Sequence, residues 1–284
     1  MDTLKDGAFM SEQHLFSRVV VSGDVVELYL YSSGIPVGQA RKHEVVRKDY
    51  EEIGDEAEKR MDSLLRSRQT IRRLIWANQG KYTKFVTLTY RETVLDLNRV
   101  RLDIRAFVKA MRRRGYDMKY LYVLENQRER GEKEGNAGCL HVHMLIFIDQ
   151  YIPQSDLTTC WKHGFIKINA LDNVRSVAAY VCKYITKDNF AAFGQKVYGC
   201  SLGLNRGTEE RFYTEGMSDN TYLHPKDVLK ALDVTYYDKM HHGYIAQDGS
   251  AQQMTVSYYQ GRWKGANVIE VAKANDRSDE TENL

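Results

Sequence analysis

Between Phe85 and Lys187 the apolar residues change period repeatedly, and the order of those changes leaves few folds open to the chain. The segment KFVTLTY, ending near Tyr90, is β-branched and aromatic, which suits a strand. Asp96 then predicts a helix N-cap, and Leu97, Val100, Ile104, Phe107, Val108 and Met111 recur at helical spacing until Gly115 stops the run. Two more strands, YLYVLEN at 120–126 and CLHVHMLIFI at 139–148, read as a hairpin whose long, charged, Gly-rich loop is Gln127 to Gly138. Ser155 predicts the cap of a short helix holding Leu157, Cys160 and Trp161, which Gly164 ends. FIKIN at 165–169 is a fourth strand, and Asp172 or Asn173 opens a helix through Lys187. Strand, helix, strand, strand, helix, strand, helix is the α+β, ferredoxin-like split βαβ arrangement of an antiparallel sheet, with one helix added. Helices on one face of such a sheet are expected to leave the other face for a ligand, as in single-stranded nucleic-acid binders.

N- and C-terminal extensions flank this core. VVELYLYS at 25–32 alternates like a strand, and Glu56 to Trp76 has helical spacing in Met61, Leu64, Leu65, Ile71 and Ile75. Beyond Lys187 the only clear signal is a helix at Pro225 to Leu232. The expected division is 1–80 for the N-terminal strands and basic helix and 81–206 for the core. A C-terminal extension of unassigned role follows at 207–264, and an acidic, disordered tail at 265–284.

Charge narrows the partner. Residues 63–114 hold fourteen Arg and Lys against three carboxylates, Glu92, Asp96 and Asp103, a balance of +11 inside a chain whose net charge is only +3. Such a block predicts a polyanion, in the first place nucleic acid, with Arg66, Arg68, Arg72, Arg73, Arg112, Arg113 and Arg114 on phosphates; the alternative is a solvated helix face. No run of about eighteen apolar residues and no secretory pattern in Met1 to Met10 are present, so no membrane partner and a cytoplasmic location are expected. Cys139, Cys160, Cys182 and Cys200 contain no CxxC pair and read as reduced thiols. Without a GxxxxGK[ST] loop, a built-in ATP-driven helicase is not expected.

Three groups of residues carry chemistry. His141 and His143, two apart on a strand, share a face with Val142 opposite, so both imidazoles can serve one metal ion. Glu125 on the preceding strand is in phase to complete a three-ligand site, with Gln127 a competitor of the same phase. Imidazole and carboxylate suit manganese, magnesium or zinc, and phosphodiester chemistry favours Mn2+ or Mg2+. On the last helix, Tyr180, Tyr184, Lys183 and Lys187 fall within about a 100° arc beside a stripe of Val174, Ala178, Val181 and Ile185. A phenol ionises near pH 10, so an attacking tyrosine needs cationic neighbours such as these lysines, which can instead hold the phosphate. Thr87 and Thr89 share a face with Phe85 and can touch DNA, while Val86, Leu88 and Tyr90 face the other way.

In combination these segments resemble the rolling-circle replication initiators of the His-hydrophobic-His endonuclease superfamily, found on bacterial plasmids and single-stranded DNA phages. The resemblance spans roughly 60–206. FVTLTY at 85–90 is similar to the family's first motif, LHVHMLIF at 140–147 to its metal motif and YVCKYITK at 180–187 to its catalytic motif, with WKHGFIKIN and CSLGLNR in the expected flanks. It implies a metal-dependent nuclease that nicks single-stranded origin DNA in a bacterial host cell, leaves a tyrosine joined to the 5′ phosphate and later rejoins the strand, while a host helicase and DNA polymerase do the rest. It also implies Tyr184 as first nucleophile and Tyr180 as its partner in strand transfer; the alternative is one catalytic tyrosine and one that packs or stacks on DNA. Two other functions fit the residues: a transposase or other mobile-element nickase, and a non-catalytic single-stranded nucleic-acid-binding module with structural histidines.

Overall fold

The computed structural model describes residues 14–36, 55–127, 138–169, 176–185, 198–213, 225–245 and 251–264. They divide into two units by their contacts, one formed by residues 1–51 with 207–284 and one by residues 52–206.

The unit at 52–206 contains the expected split βαβ core. Its elements are α1 (Asp55–Asn78), β3 (Lys84–Leu88), α2 (Leu97–Arg113), β4 (Lys119–Asn126), β5 (Leu140–Phe147), α3 (Gln154–Cys160), β6 (Ile166–Asn169), α4 (Val177–Cys182) and β7 (Tyr198–Cys200). The strands form one antiparallel sheet in the order β6-β3-β5-β4-β7. Asp96 caps α2 by accepting from the Asn98 amide at 2.8 Å, and Gly115, at φ +89°, supplies the left-handed residue that ends it.

Period-two alternation along β5 sorts the sheet into two faces. Leu140, Val142, Met144 and Ile146 pack with Val86, Leu88 and Tyr90 against the apolar stripe of α2 and against Leu157 and Trp161. Leu145 and Phe147 lie on the other face with Phe85, Leu121 and Val123. That second face is covered by helices as well, which corrects the expectation of a sheet left open on one side. Leu64, Ile71, Leu74 and Ile75 of α1 and Val177, Ala178, Val181 and Ile185 on and just after α4 bury their stripes there. The reason is the apolar face of α1, which needs a partner as much as the stripe of α2 does.

Two helix limits also differ from expectation. The first turn of α3 starts at Gln154 rather than after a Ser155 cap, because the Pro153 carbonyl accepts from the Asp156 and Leu157 amides. In α4, Ser176 is the cap, and the ladder tightens to i→i+3 bonds at Tyr184 and Ile185, so the regular helix ends at Cys182 instead of running through Lys187. Residues 170–175 and Lys187 lie outside the described residues.

The other unit joins the two ends of the chain. Strands β1 (His14–Ser22), β2 (Val25–Pro36), β8 (Thr208–Tyr213), β9 (Leu232–Ile245) and β10 (Ala251–Trp263) form an antiparallel sheet in the order β8-β1-β2-β10-β9. Helix α5 (Pro225–Ala231) packs Val228 on Val19, Val21, Val26 and Leu28 of one face. On the opposite face Glu27 is buried and accepts from the hydroxyls of Tyr29 at 3.2 Å and Tyr258 at 2.9 Å. The helix at 225–231 was legible; β1, β8, β9 and β10 carry no pattern assigned above. The tail at 265–284 lies outside the described residues. No helix among the described residues is long and apolar enough to cross a membrane, and the four cysteines are free thiols.

Candidate active site

Register brings the first constellation together. Within the sheet, His141 stands opposite Glu125, and His143 stands between Val123 of β4 and Thr87 of β3. Odd-numbered positions of β5 face α1 and α4, so both imidazoles are buried, at 8% and 4% exposure, on the helix-covered face. His143 is held at both nitrogens. Its Nε2 lies 2.7 Å from Glu125 Oε2, and its Nδ1 lies 3.2 Å from Thr87 Oγ1. Thr87 Oγ1 in turn accepts from Asn169 Nδ2 at 3.1 Å. A chain from Asn169 through Thr87 and His143 to Glu125 thus fixes the ring plane and matches a neutral imidazole that accepts at Nδ1 and donates at Nε2. Burial opposes ionisation of Glu125, but the hydrogen bond from His143 and the nearby charge of Lys183 outweigh it and hold the carboxyl below its ordinary range.

The second constellation arrives from α4 over this floor. The Tyr184 ring stacks on the His143 ring, centroids 3.6 Å apart and planes 15° off parallel, and the Tyr184 hydroxyl donates to the Tyr180 oxygen at 3.3 Å. Tyr180 meets the buried Phe85 edge-on at 5.4 Å. The Lys183 ammonium lies 3.6 Å from the Tyr180 ring centroid and 5.0 Å from that of Tyr184. The phenols therefore differ. The hydrogen bond from Tyr184, aided by Lys183 and Lys167 against some burial, lowers the pKa of Tyr180. Desolvation, followed by the Tyr180 oxygen and Glu125, raises that of Tyr184.

The residues fit a divalent ion by type and by spacing. Two donors on an octahedral ion, each at about 2.1 Å, stand about 3 Å apart, close to the 2.7 Å that separates His143 Nε2 from Glu125 Oε2. In the structure as it stands that pair is closed by its own hydrogen bond, and no three His, Cys, Asp or Glu side chains among the described residues form a ready-made cage. Gln127, just beyond β4, exchanges backbone hydrogen bonds with Cys139, one step further from the histidines than Glu125.

The basic residues separate into two layers. Arg66, Arg68, Arg72 and Arg73 belong to α1, on the layer of the histidines and tyrosines. Arg66 is exposed, Arg73 half-buried, and Arg72 lies beside the Cys182 thiol. Arg68 is committed to structure: its Nε and one terminal nitrogen donate to the Ile185 carbonyl at 2.9 and 2.6 Å, just past Tyr184. Arg112, Arg113 and Arg114 end α2, on the other side of the sheet; the first two are exposed, and Arg114 pairs with Asp156 at 2.9 Å. The structure does not bring them to the histidines. Thr89 lies one pleat beyond Thr87 and is bonded to the backbone of Phe165. Asn169, which positions Thr87, was absent from the residues singled out by sequence. The alternation in FIKIN sets Phe165, Lys167 and Asn169 in one phase, which was the available signal.

An α+β unit with a split βαβ sheet, carrying a histidine pair under two tyrosines, is the class that fold and site define. Residues 83–189 match a family model described as a replication-associated protein of the ORF2 type, and the matched stretch contains β3, β5 and α4 with every histidine and tyrosine of the site. The match is consistent with a replication initiator. No curated protein and no solved structure matches the chain.

Proposed function

We propose that the chain is a rolling-circle replication initiator, a nickase and strand transferase that cuts and rejoins single-stranded origin DNA. One observation carries the reading: Tyr184 stacks face to face on His143 while its hydroxyl holds Tyr180. A purely structural tyrosine pair has no need of a buried imidazole and carboxylate beneath it, whereas phosphoryl transfer needs nucleophile and phosphate-polarising groups together. The similarity of residues 83–189 to replication-associated proteins supports the same reading.

A Mn2+ or Mg2+ ion held by His143, Glu125 and His141 would supply polarisation of a non-bridging phosphate oxygen. The chain's own residues do the rest. Asn169 and Thr87 fix His143 through its Nδ1. Lys183, beside both phenol rings, offsets charge on a phenolate and on the approaching phosphate. The tyrosine oxygen bonds to phosphorus, the bond from phosphorus to O3′ breaks, and the freed 3′ oxygen ends as a hydroxyl after proton exchange with solvent. Attack by the 3′ hydroxyl reverses the step and rejoins the strand. We assign the first attack to Tyr184, because it is the phenol that touches His143, and geometry ranks ahead of acidity. Tyr180, the more acidic phenol, is positioned for the second transfer. Arg66, which is exposed, and Lys187 would add contacts to phosphates, and a host helicase and polymerase would open and copy the template.

The test is a covalent protein–DNA band that survives denaturation after incubation with single-stranded origin oligonucleotide and Mn2+. Single Tyr184→Phe and Tyr180→Phe variants apportion the nucleophile. His143→Ala is expected to abolish the band while sparing binding. Absence of a band with every origin in the replicon that carries the gene would leave the non-catalytic binding module as the reading. Cleavage of transposon ends rather than a replication origin would make it a transposase.

A further inference from the structure

The edge strand β6 carries a feature the chemistry above does not use. Phe165, the residue before it, is 77% exposed, although its backbone is firmly tied to β3. The Thr89 amide and hydroxyl both donate to the Phe165 carbonyl, at 3.0 and 3.1 Å, and the Phe165 amide donates back to the Thr89 hydroxyl at 3.1 Å. Gly164 lies so close to the Thr89 carbonyl that a Cβ there would stand 2.2 Å from its oxygen.

Register locates this side chain. Ile166 and Ile168 pack on the α2 face, so Phe165 and Lys167 take the other phase, the face of the histidines. Lys167 pairs with Thr87, and Thr87 with His143. The same register, continued by one residue, sets Phe165, Thr89, His141 and Glu125 in one row. Phe165 is thus two strands, about 10 Å, from the histidine strand, and about 7 Å along β6 from Lys167. The Lys167 charge is felt at the Tyr180 phenol, in keeping with that face.

We propose that Phe165 and Lys167 form a nucleotide subsite for single-stranded DNA beside the histidine–tyrosine centre, Phe165 stacking on a base and Lys167 meeting the adjoining phosphate. A lysine on an edge strand is explained by protection against strand pairing, but an exposed phenylalanine there works against that protection. A base is the occupant that fits both side chains, since it offers a π face to the ring while its phosphate answers the ammonium. The step of about 7 Å between the two is on the scale of one nucleotide of an extended strand. The inference rests on the reading that single-stranded DNA enters this site.

The experiment uses the full chain, chelator to prevent cleavage, and oligo-dT carrying one 2-aminopurine at successive positions. Wild-type protein is expected to alter the 2-aminopurine emission most strongly at one position. Phe165→Ala should remove that response and weaken binding at least about fivefold, the lower end of the stacking range, whereas Phe165→Trp should retain both. Lys167→Ala should reduce the slope of log Kd against log salt by about 0.7, one single-strand phosphate. Unchanged affinity and emission in Phe165→Ala, with the covalent band still formed by wild type, would overturn the subsite and leave the nickase standing. Loss of binding in Phe165→Ala, with no covalent band from wild type on any origin, would overturn the nickase and leave the subsite standing.

Discussion

The hydroxyl of Tyr184 donates to the oxygen of Tyr180, and that direction gives two chemically identical side chains opposite acidities. A donated hydrogen bond stabilises the phenolate of the acceptor, while burial against His143 penalises that of the donor. Tyr184→Phe removes the donor, so the pKa of Tyr180 is expected to rise towards its ordinary value, and its phenolate to persist only at higher pH. Titration of ring-labelled tyrosine followed by carbon NMR reads this directly; an unmoved Tyr180 curve would show that the lysines, rather than the phenol pair, set its acidity. The histidine pair shows how far spacing alone reaches. That His141 and His143 share a face follows from a period of two, whereas the contact between His143 and Glu125, on a diagonal of the β4–β5 ladder, depends on the hairpin register.

At the scale of elements, the site depends on how two short segments are held. Regular α4 has only six residues, too few to stand alone, and its last turn carries Tyr184. Helix α1 grips that turn on both sides: the Cys182 thiol lies 3.6 Å from the Arg68 carbonyl, and the Arg68 guanidinium binds the Ile185 carbonyl. Arg68→Met is expected to cost about 1.5–3 kcal/mol of stability, as for hydrogen bonds made by a charged group, and to lower the rate of covalent adduct formation more than DNA affinity. Urea unfolding and single-turnover cleavage check the two parts. An equal loss in affinity and rate would return Arg68 to the phosphate-binding role expected from its charge. The turn before β6 is held by close approach instead. Gly164→Ala places a methyl against the Thr89 carbonyl, and a loss of about 1–3 kcal/mol is expected from the overpacking, measurable as a lower urea midpoint.

At the scale of the whole molecule, the two ends of the chain meet in one sheet, while the core that separates them in sequence has a sheet of its own. Strands β1 and β2 alone would be a two-stranded hairpin, which is marginal in water, and β8, β10, β9 and α5 supply its remaining neighbours. Deleting residues 207–284 is therefore expected to erase hydrogen-exchange protection of Val19 to Val21 and Val26 to Leu28 while leaving β3, β4 and β5 protected. Loss of protection in both units would show that they fold as one.

The split βαβ order, the helical face of α2 and the placing of His141 with His143 were legible because each depends on local period. Both sheets' remaining features required partners far away in the chain. Strands β9 and β10 mix polar and aromatic residues along their length and become strands through pairing with each other and with β2. The basic block from 63 to 114 reads as one feature in sequence, yet its arginines belong to two helices on opposite sides of a sheet, and one of them is a brace. What the sequence by itself determined is which residue types lie on which face of each element. Only the tertiary structure decided that the histidine face would be roofed by α1 and α4, and so that Tyr184 would meet His143, because packing joins apolar stripes whose separation along the chain no local period records.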